Sequence, residues 1–312
     1  MALLLSIVPA AFSADEPARP NILLILADDM GYGDPQCYNP NSKCPTPQIN
    51  SLASAGLRFT DAHSAGSVCV PSRYGLLTGR YPFRARLDWT KSACIEPETS
   101  TIAARLQSAG YRTGMVGKWH LGFDGGPDYD YSQPLVGGPC DRGFDSWFGI
   151  PHSLDIQPYY LVRDRLAIAP PTQPVAASNS PDWSPIQGVF WREGKASPGF
   201  EFELVLDQLG EAACDWLKAT RDIDDPFFLY VPLTSPHTPW LPAERFRGQG
   251  GAGLYGEFVA HRRCRRPHPA GGSTTAASGM KRWSSSPATT DRRGIPGISR
   301  SSVTIAPTDC GG

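Results

Sequence analysis

The chain has almost no net charge. Its formal balance is -1 over 312 residues, which excludes a general electrostatic pull toward nucleic acid or an anionic membrane surface. It also lacks an apolar run of bilayer length. The opening "MALLLSIVPAAFSADEP" is apolar but too short to span a membrane comfortably. Followed by small residues, it reads as a secretory signal over residues 1–14, with cleavage near Ser13 or Ala14. The positively charged leading segment of such a signal is missing. An exported, periplasmic or extracellular protein can form disulfides among the 8 cysteines. Cys37 and Cys44 are close enough in sequence to pair across a loop.

The sharpest absence is near the end. Beyond Ala260 there is no Leu, Phe, Tyr, Glu, Asn or Gln. Residues 261–312 are instead rich in Arg, Pro, Ser, Thr, Gly and Ala, with no period of 2 or 3.6. Such a segment cannot bury enough apolar area to offset its ordering entropy. It reads either as a basic disordered tail or as the product of a reading-frame change near His261. The abrupt stop of "GAGLYGEFVA", the start of an amphipathic helix, favours the second.

What is present suits a globular domain, with 40% hydrophobic and 19% charged residues. Gly 32 and Pro 31 predict many long loops. "RPNILLILADD" is a continuous apolar run and predicts a strand buried on both faces. "TPQINSLASAG" predicts a helix, with Thr46 as cap, Pro47 at the first position and Gly56 at the stop. "LRFTDAHS" predicts a second strand. "PSRYGLLTG" and "TSTIAARLQSAG" predict helices, and "YRTGMVGKWHLG" a strand running into a loop. From Asp124 to Phe200 long loops and short strands are expected. "EFELVLDQLGEAACDWLKAT" carries an apolar helical stripe at Leu206, Leu209, Ala213, Trp216 and Leu217. "DPFFLYVPLTSPHTPW" predicts another buried strand, ending in a loop with His237. This alternation argues for an α/β sandwich around a largely parallel sheet.

The chemistry centres on Cys69. Pro71 places it at a helix N-terminus, where backbone N–H groups and the helix dipole favour negative charge. Arg73 lies about one turn later on the same face, and a guanidinium fork suits a tetrahedral oxyanion. Nothing in this region supplies an obvious thiol-activating histidine beside it, which argues against a plain cysteine hydrolase.

"CVPSRYGLLTGR" matches the sulfatase signature, Cys-x-Pro-Ser-Arg followed by Thr78, Gly79 and Arg80. The resemblance runs from about Arg19 to about Ala260. It implies an alkaline phosphatase-like α/β sandwich, incomplete at the C-terminus, and a catalytic region over residues 15–260. It also implies that Cys69 is converted to formylglycine by a formylglycine-generating enzyme, so that Cys69 is unavailable for a disulfide. One hydroxyl of the hydrated aldehyde attacks sulfur. Deprotonation of the other then releases the covalent sulfate.

By the same resemblance Asp28 and Asp29 look like Ca²⁺ ligands, with residue 69 completing part of the shell. Hard carboxylate oxygens at the end of a parallel strand fit such an ion. Lys118 and His120 of "GKWHLG" resemble the sulfate-binding lysine and the histidine that assists turnover. A period of 2 points both to one side of their strand. His237 of "SPHTPW" resembles the histidine beside the leaving-group oxygen, a general acid. Ser153 of "GIPHSLD" resembles a serine near the sulfate. His63 and His152 carry no role, and Trp119 reads as packing.

The family also supplies a late Asp-Asn pair, a second lysine and a small C-terminal domain; neither the Asp-Asn pair nor the domain is found after Ala260. Ca²⁺ takes about 6–8 oxygens, so Asp28, Asp29 and residue 69 leave its shell short. A sheet without its late strands would expose an edge. The expected function is hydrolysis of sulfate esters, aryl sulfate or sulfated polysaccharide, with low activity in this chain. The alternatives are a phosphate or phosphonate ester hydrolase on the same scaffold, and an inactive fragment. Motif spacing looks most like the arylsulfatase A and galactosamine-6-sulfatase types.

Overall fold

The computed structural model describes residues 19–261, apart from 126–128, 182 and 185. The expected signal segment and residues 262–312 lie outside the described residues, so neither the segment nor the tail is addressed by the fold. His261 closes the described chain.

The first apolar run forms β1 (Ile22–Asp28). Helix α1 (Pro47–Ala55) begins at its proline. Thr46 precedes it, but its hydroxyl accepts from the Gln36 amide instead of capping the helix. Helix α2 (Cys69–Thr78) ends at Gly79, whose φ of 66° lets its N–H return to the Gly75 carbonyl. Helix α3 (Ile102–Ser108) is capped by the Thr101 hydroxyl, which accepts from the Ala104 amide at 3.0 Å. Then come β2 (Arg112–Lys118), β3 (Ser146–Ile150), β4 (Val162–Arg163), β5 (Leu166–Ala167), β6 (Gln173–Val175) and β7 (Gly194–Ala196). Helix α4 (Val205–Ala219), strand β8 (Phe227–Pro236) and helix α5 (Gly253–Ala260) complete the order.

Six strands form one sheet in the order β1-β8-β2-β3-β4-β5. The pairs β1–β8, β8–β2 and β2–β3 are parallel, and only the short β4 and β5 run antiparallel. Strands β6 and β7 make a separate antiparallel pair. Side chains alternate across the main sheet with the period of 2. Leu24, Leu26, Met115, Phe228 and Tyr230 pack on one face with Tyr74 and Leu77 of α2 and Ala103 of α3. Val116, Leu229 and Val231 face the other way, onto Val205, Leu209 and Ala213 of α4. The α4 stripe is the one expected, with Trp216 and Leu217 at its half-buried margin. The protein is therefore an α/β structure with a mostly parallel central sheet flanked by helices.

The strands β8, β2 and β3 lie very close together. At Gly117, φ is 141°, and a Cβ there would sit 2.0 Å from the Pro232 carbonyl oxygen. A Cβ at Gly149 would sit 1.8 Å from the Gly117 carbonyl oxygen. Only glycine permits this approach.

Two expectations need correction. Residues 57–64 form no strand; Leu57 and Phe59 are 87% and 55% exposed. Their alternation fits a strand, but among the described residues no strand pairs with them. Cys37 and Cys44 are not bridged. Cys44 is instead buried with Ala27, Met30 and Val259, with its Sγ 4.0 Å from Asp34 Oδ1. Strand β1 is an edge of the main sheet, pairing only with β8 among the described residues. No described helix is long and apolar enough to cross a membrane.

Candidate active site

In a parallel sheet the carboxyl ends of adjacent strands share one opening. Here β1, β8 and β2 are neighbours, so the residues just beyond Asp28, Pro236 and Lys118 meet at one place. Asp28 ends β1, and Asp29 is next in the left-handed region at φ 58°. Lys118 ends β2, and His120 lies beyond it at φ 57°. Such φ values are uncommon outside glycine, and strained residues concentrate at functional sites. Because β2 stops at Lys118, the period of 2 does not carry through to His120. The left-handed turn places its ring instead.

Asp28 is the hub. Its carboxylate is buried and accepts from Lys118 Nζ. Arg73 Nη2 lies 3.2 Å from the same oxygen without hydrogen-bond alignment. Burial alone would raise the Asp28 pKa. The charges of Lys118, then Arg73 and His237, outweigh it and hold the carboxyl far below the usual range. Burial likewise disfavours the Arg73 charge, yet Asp28 more than compensates and its pKa rises. Arg73 is positioned by donating from Nη1 to the Lys118 carbonyl at 2.9 Å. Its buried Nε makes no hydrogen bond.

Cys69 is the first residue of α2, half-buried, and electrostatically coupled to Arg73. It makes no disulfide. Lys118 Nζ also donates to Ser153 Oγ at 3.0 Å, and that hydroxyl lies 3.1 Å from His237 Nδ1. His237 Nε2 is 3.5 Å from Asp29 Oδ2. The His120 ring is buried, with neither nitrogen hydrogen-bonded. Burial first, then the Lys118 charge, pushes its pKa well below the ordinary value. Thus Asp28, Asp29, Cys69, Arg73, Lys118, His120, Ser153 and His237 all belong to one site.

The other histidines divide. His63 is exposed and meets Asp61 at 2.7 Å on the surface. His152 packs tilted against Trp89 and His120 meets the same ring edge-on, both with ring centroids 4.8 Å away. Burial and Lys118 lower the His152 pKa to about 3. Trp119 is core packing, its indole N–H donating to the Gly122 carbonyl.

Four side chains around the site had no local sequence signal. Tyr230 of β8 sits buried beneath Arg73, its pKa raised to about 12 chiefly by burial. Tyr255 of α5 donates to Asp34 and to the Asp29 carbonyl, clasping the turn after β1. Trp89 backs the two buried imidazoles. Asp155 lies near His237.

Asp28 and Asp29 offer the oxygen donors a hard cation prefers. Among the described residues no group of three or more His, Cys, Asp or Glu is placed to hold a metal ion. Asp28 is moreover already neutralised by two cations. The arrangement is a pair of fixed cations near a helix N-terminus, with His120 and His237 close by, which suits a tetrahedral oxyanion.

These residues gather at the carboxyl edge of a parallel α/β sheet. The sulfatase family pattern matches residues 20–252, and the chain belongs to the sulfatase family. It is 32% identical over 272 residues to N-acetylgalactosamine-6-O-sulfatase of Bacteroides thetaiotaomicron, covering 77% of this chain and 53% of that protein. It is 36% identical over 245 residues to human arylsulfatase A, covering 77% and 46% respectively. A solved Bacteroides thetaiotaomicron structure, reported under the metabolism of multiple glycosaminoglycans, superposes with a TM-score of 0.67. It shows 30% identity and covers 78% of this chain and 57% of that one. The chain thus spans about half the length of the curated relatives it matches.

Proposed function

We propose that this chain carries the nucleophile half of a sulfate ester hydrolase, acting on an aryl sulfate or a sulfated sugar. The observation that carries the reading is the pair of fully buried cations, Arg73 and Lys118, converging on Asp28 beside Cys69. Family membership and the names of the two relatives support the substrate class. Once oxidised to formylglycine by a formylglycine-generating enzyme and hydrated, residue 69 would supply the oxygen nucleophile. Arg73 and Lys118 hold sulfate oxygens and stabilise charge that grows in the transition state. His237 gives a proton to the departing ester oxygen. His120, buried and neutral, takes a proton during turnover. Ser153 bridges Lys118 and His237 and keeps their heads in register.

Calcium would be held at Asp28 and Asp29 only with further oxygens, and among the described residues no third His, Cys, Asp or Glu stands with them. Turnover by this chain is therefore expected to be low. The match over residues 20–252 supports a catalytic region within 15–260. The apolar start supports export.

The test is co-expression of the 312-residue chain with and without a formylglycine-generating enzyme. Mass spectrometry then reads the peptide around residue 69, and p-nitrophenyl sulfate is compared with p-nitrophenyl phosphate. Aldehyde at residue 69 and slow turnover that favours sulfate are expected. No aldehyde in the presence of the enzyme, or a preference for phosphate, defeats the reading. Fast sulfate turnover would refute the incomplete metal shell.

A further inference from the structure

We propose that Cys214 and Cys264 form a disulfide that fastens the chain just beyond His261 across an apolar groove. Cys214 is disulfide-bonded, while Cys37, Cys44, Cys69, Cys94 and Cys140 are free thiols. Of the 8 cysteines in the sequence, Cys264 and Cys310 are the two left to pair with it.

The groove is a cavity of about 280 Å³ on the face of the main sheet that carries α4. Leu23 of β1, Leu229 of β8, Leu52 of α1 and Leu217 of α4 line it, and so do Cys214 and His261. Apolar surface gathered in one place gains from a cover. The described chain ends at this groove, so the next residues set out from its wall.

The spacing selects Cys264. His261 Nε2 is held 2.8 Å from Asp207 Oδ1 of α4. Cys214 is seven residues further along the same helix. That is close to two full turns, so Cys214 shares the face of Asp207 and lies about 10.5 Å along the axis. Cys264 is three residues beyond His261, an extended reach of about 10 Å. A disulfide then spans the sideways gap, about 4.4–6.8 Å between Cα atoms. Arg262 and Arg263 separate His261 from Cys264 in the sequence. Exposed Glu211 separates Asp207 from Cys214 on the helix, so the two cations pass a carboxylate of opposite sign. Cys310 would close a far longer loop, at a larger cost in entropy.

Each thiol gives up one proton and one electron as the S–S bond forms. The two electrons pass to a small-molecule disulfide such as oxidised glutathione, which leaves as two thiols. The link ties the end of α5 to α4 and does not involve Cys69, so it stands apart from the proposed catalysis.

The full 312-residue chain is purified in a buffer containing oxidised glutathione, alkylated with N-ethylmaleimide without reduction, and digested with trypsin. Mass spectrometry is expected to find the Cys214 peptide joined to the Cys264 peptide, with the join lost after dithiothreitol. Cys214 alkylated in the unreduced chain, or joined to Cys310, overturns the inference. The cover is read separately with an anilinonaphthalene sulfonate dye. Dye fluorescence should rise in Cys264→Ser that keeps the native circular dichroism. If that variant does not fold, the dithiothreitol-reduced native chain takes its place. Unchanged fluorescence overturns the covering of the groove.

Discussion

The two walls of the site are built differently. Lys118 comes from β2, which has β8 on one side and β3 on the other and is buried along nearly its whole length. Asp28 and Asp29 come from β1, which has β8 alone among the described residues and is half-buried at Ile22, Leu23 and Ile25. The cationic wall is therefore held by the sheet interior. The acidic wall is held from one side by β8, and beyond its end by Tyr255. Positioning strength scales with the number of packed neighbours, and the site joins a strongly held half to a weakly held one.

The largest break in this comparison is Asp28→Ala. It leaves Lys118 and Arg73 buried and unpaired, and about 3–5 kcal/mol of stability should be lost in urea unfolding. Asp29→Ala, one residue on and half exposed, should lose less than about 1 kcal/mol. Equal effects would erase the contrast between hub and rim.

The strands can be compared next. Val116→Ala in β2 removes fully buried methyls and should cost about 0.5–1.5 kcal/mol per methylene-scale change. Leu23→Ala in β1 deletes more atoms, yet Leu23 is half-buried and opens on a groove shared with Leu206 and Leu233. If Leu23→Ala cost as much per deleted atom as Val116→Ala, β1 would be as firmly held as β2.

Acid should act on the imidazole side. His120 and His152 have folded pKa values below the unfolded value of about 6.5. Below that pH the unfolded chain binds more protons, so stability rises with pH in this window and falls as pH drops beneath about 6.5. His152→Phe should flatten the urea midpoint between pH 7.5 and pH 5 relative to the native chain. A native midpoint independent of pH there would contradict the burial of these rings. A modest effect is expected away from both walls. Thr101→Ala removes the cap of α3 and its bond to the Arg142 carbonyl, costing about 1 kcal/mol.

Much of this was legible before the fold. β1, β8 and α4 declare themselves because burial on both faces demands continuous apolar runs and a helical stripe demands period 3.6. Cys69, Arg73, Lys118, His120 and His237 lie in short local motifs, and the structure brings them to one opening together with Ser153. Residues 57–64 misled because alternation reports only that a segment could line a sheet, not that a partner strand exists. Cys37 and Cys44 misled because nearness in sequence does not orient two thiols. Asp155, Tyr230 and Tyr255 gave no signal, since each matters only through a residue that folding brings to it from elsewhere in the chain.

The bare outer edge of β1 also sets a practical timescale. Its amides and carbonyls have no strand partner among the described residues, and such an edge templates association with other chains. Loss of purified material should then be second order in protein, so that shelf life shortens in proportion to concentration while heating rate matters little.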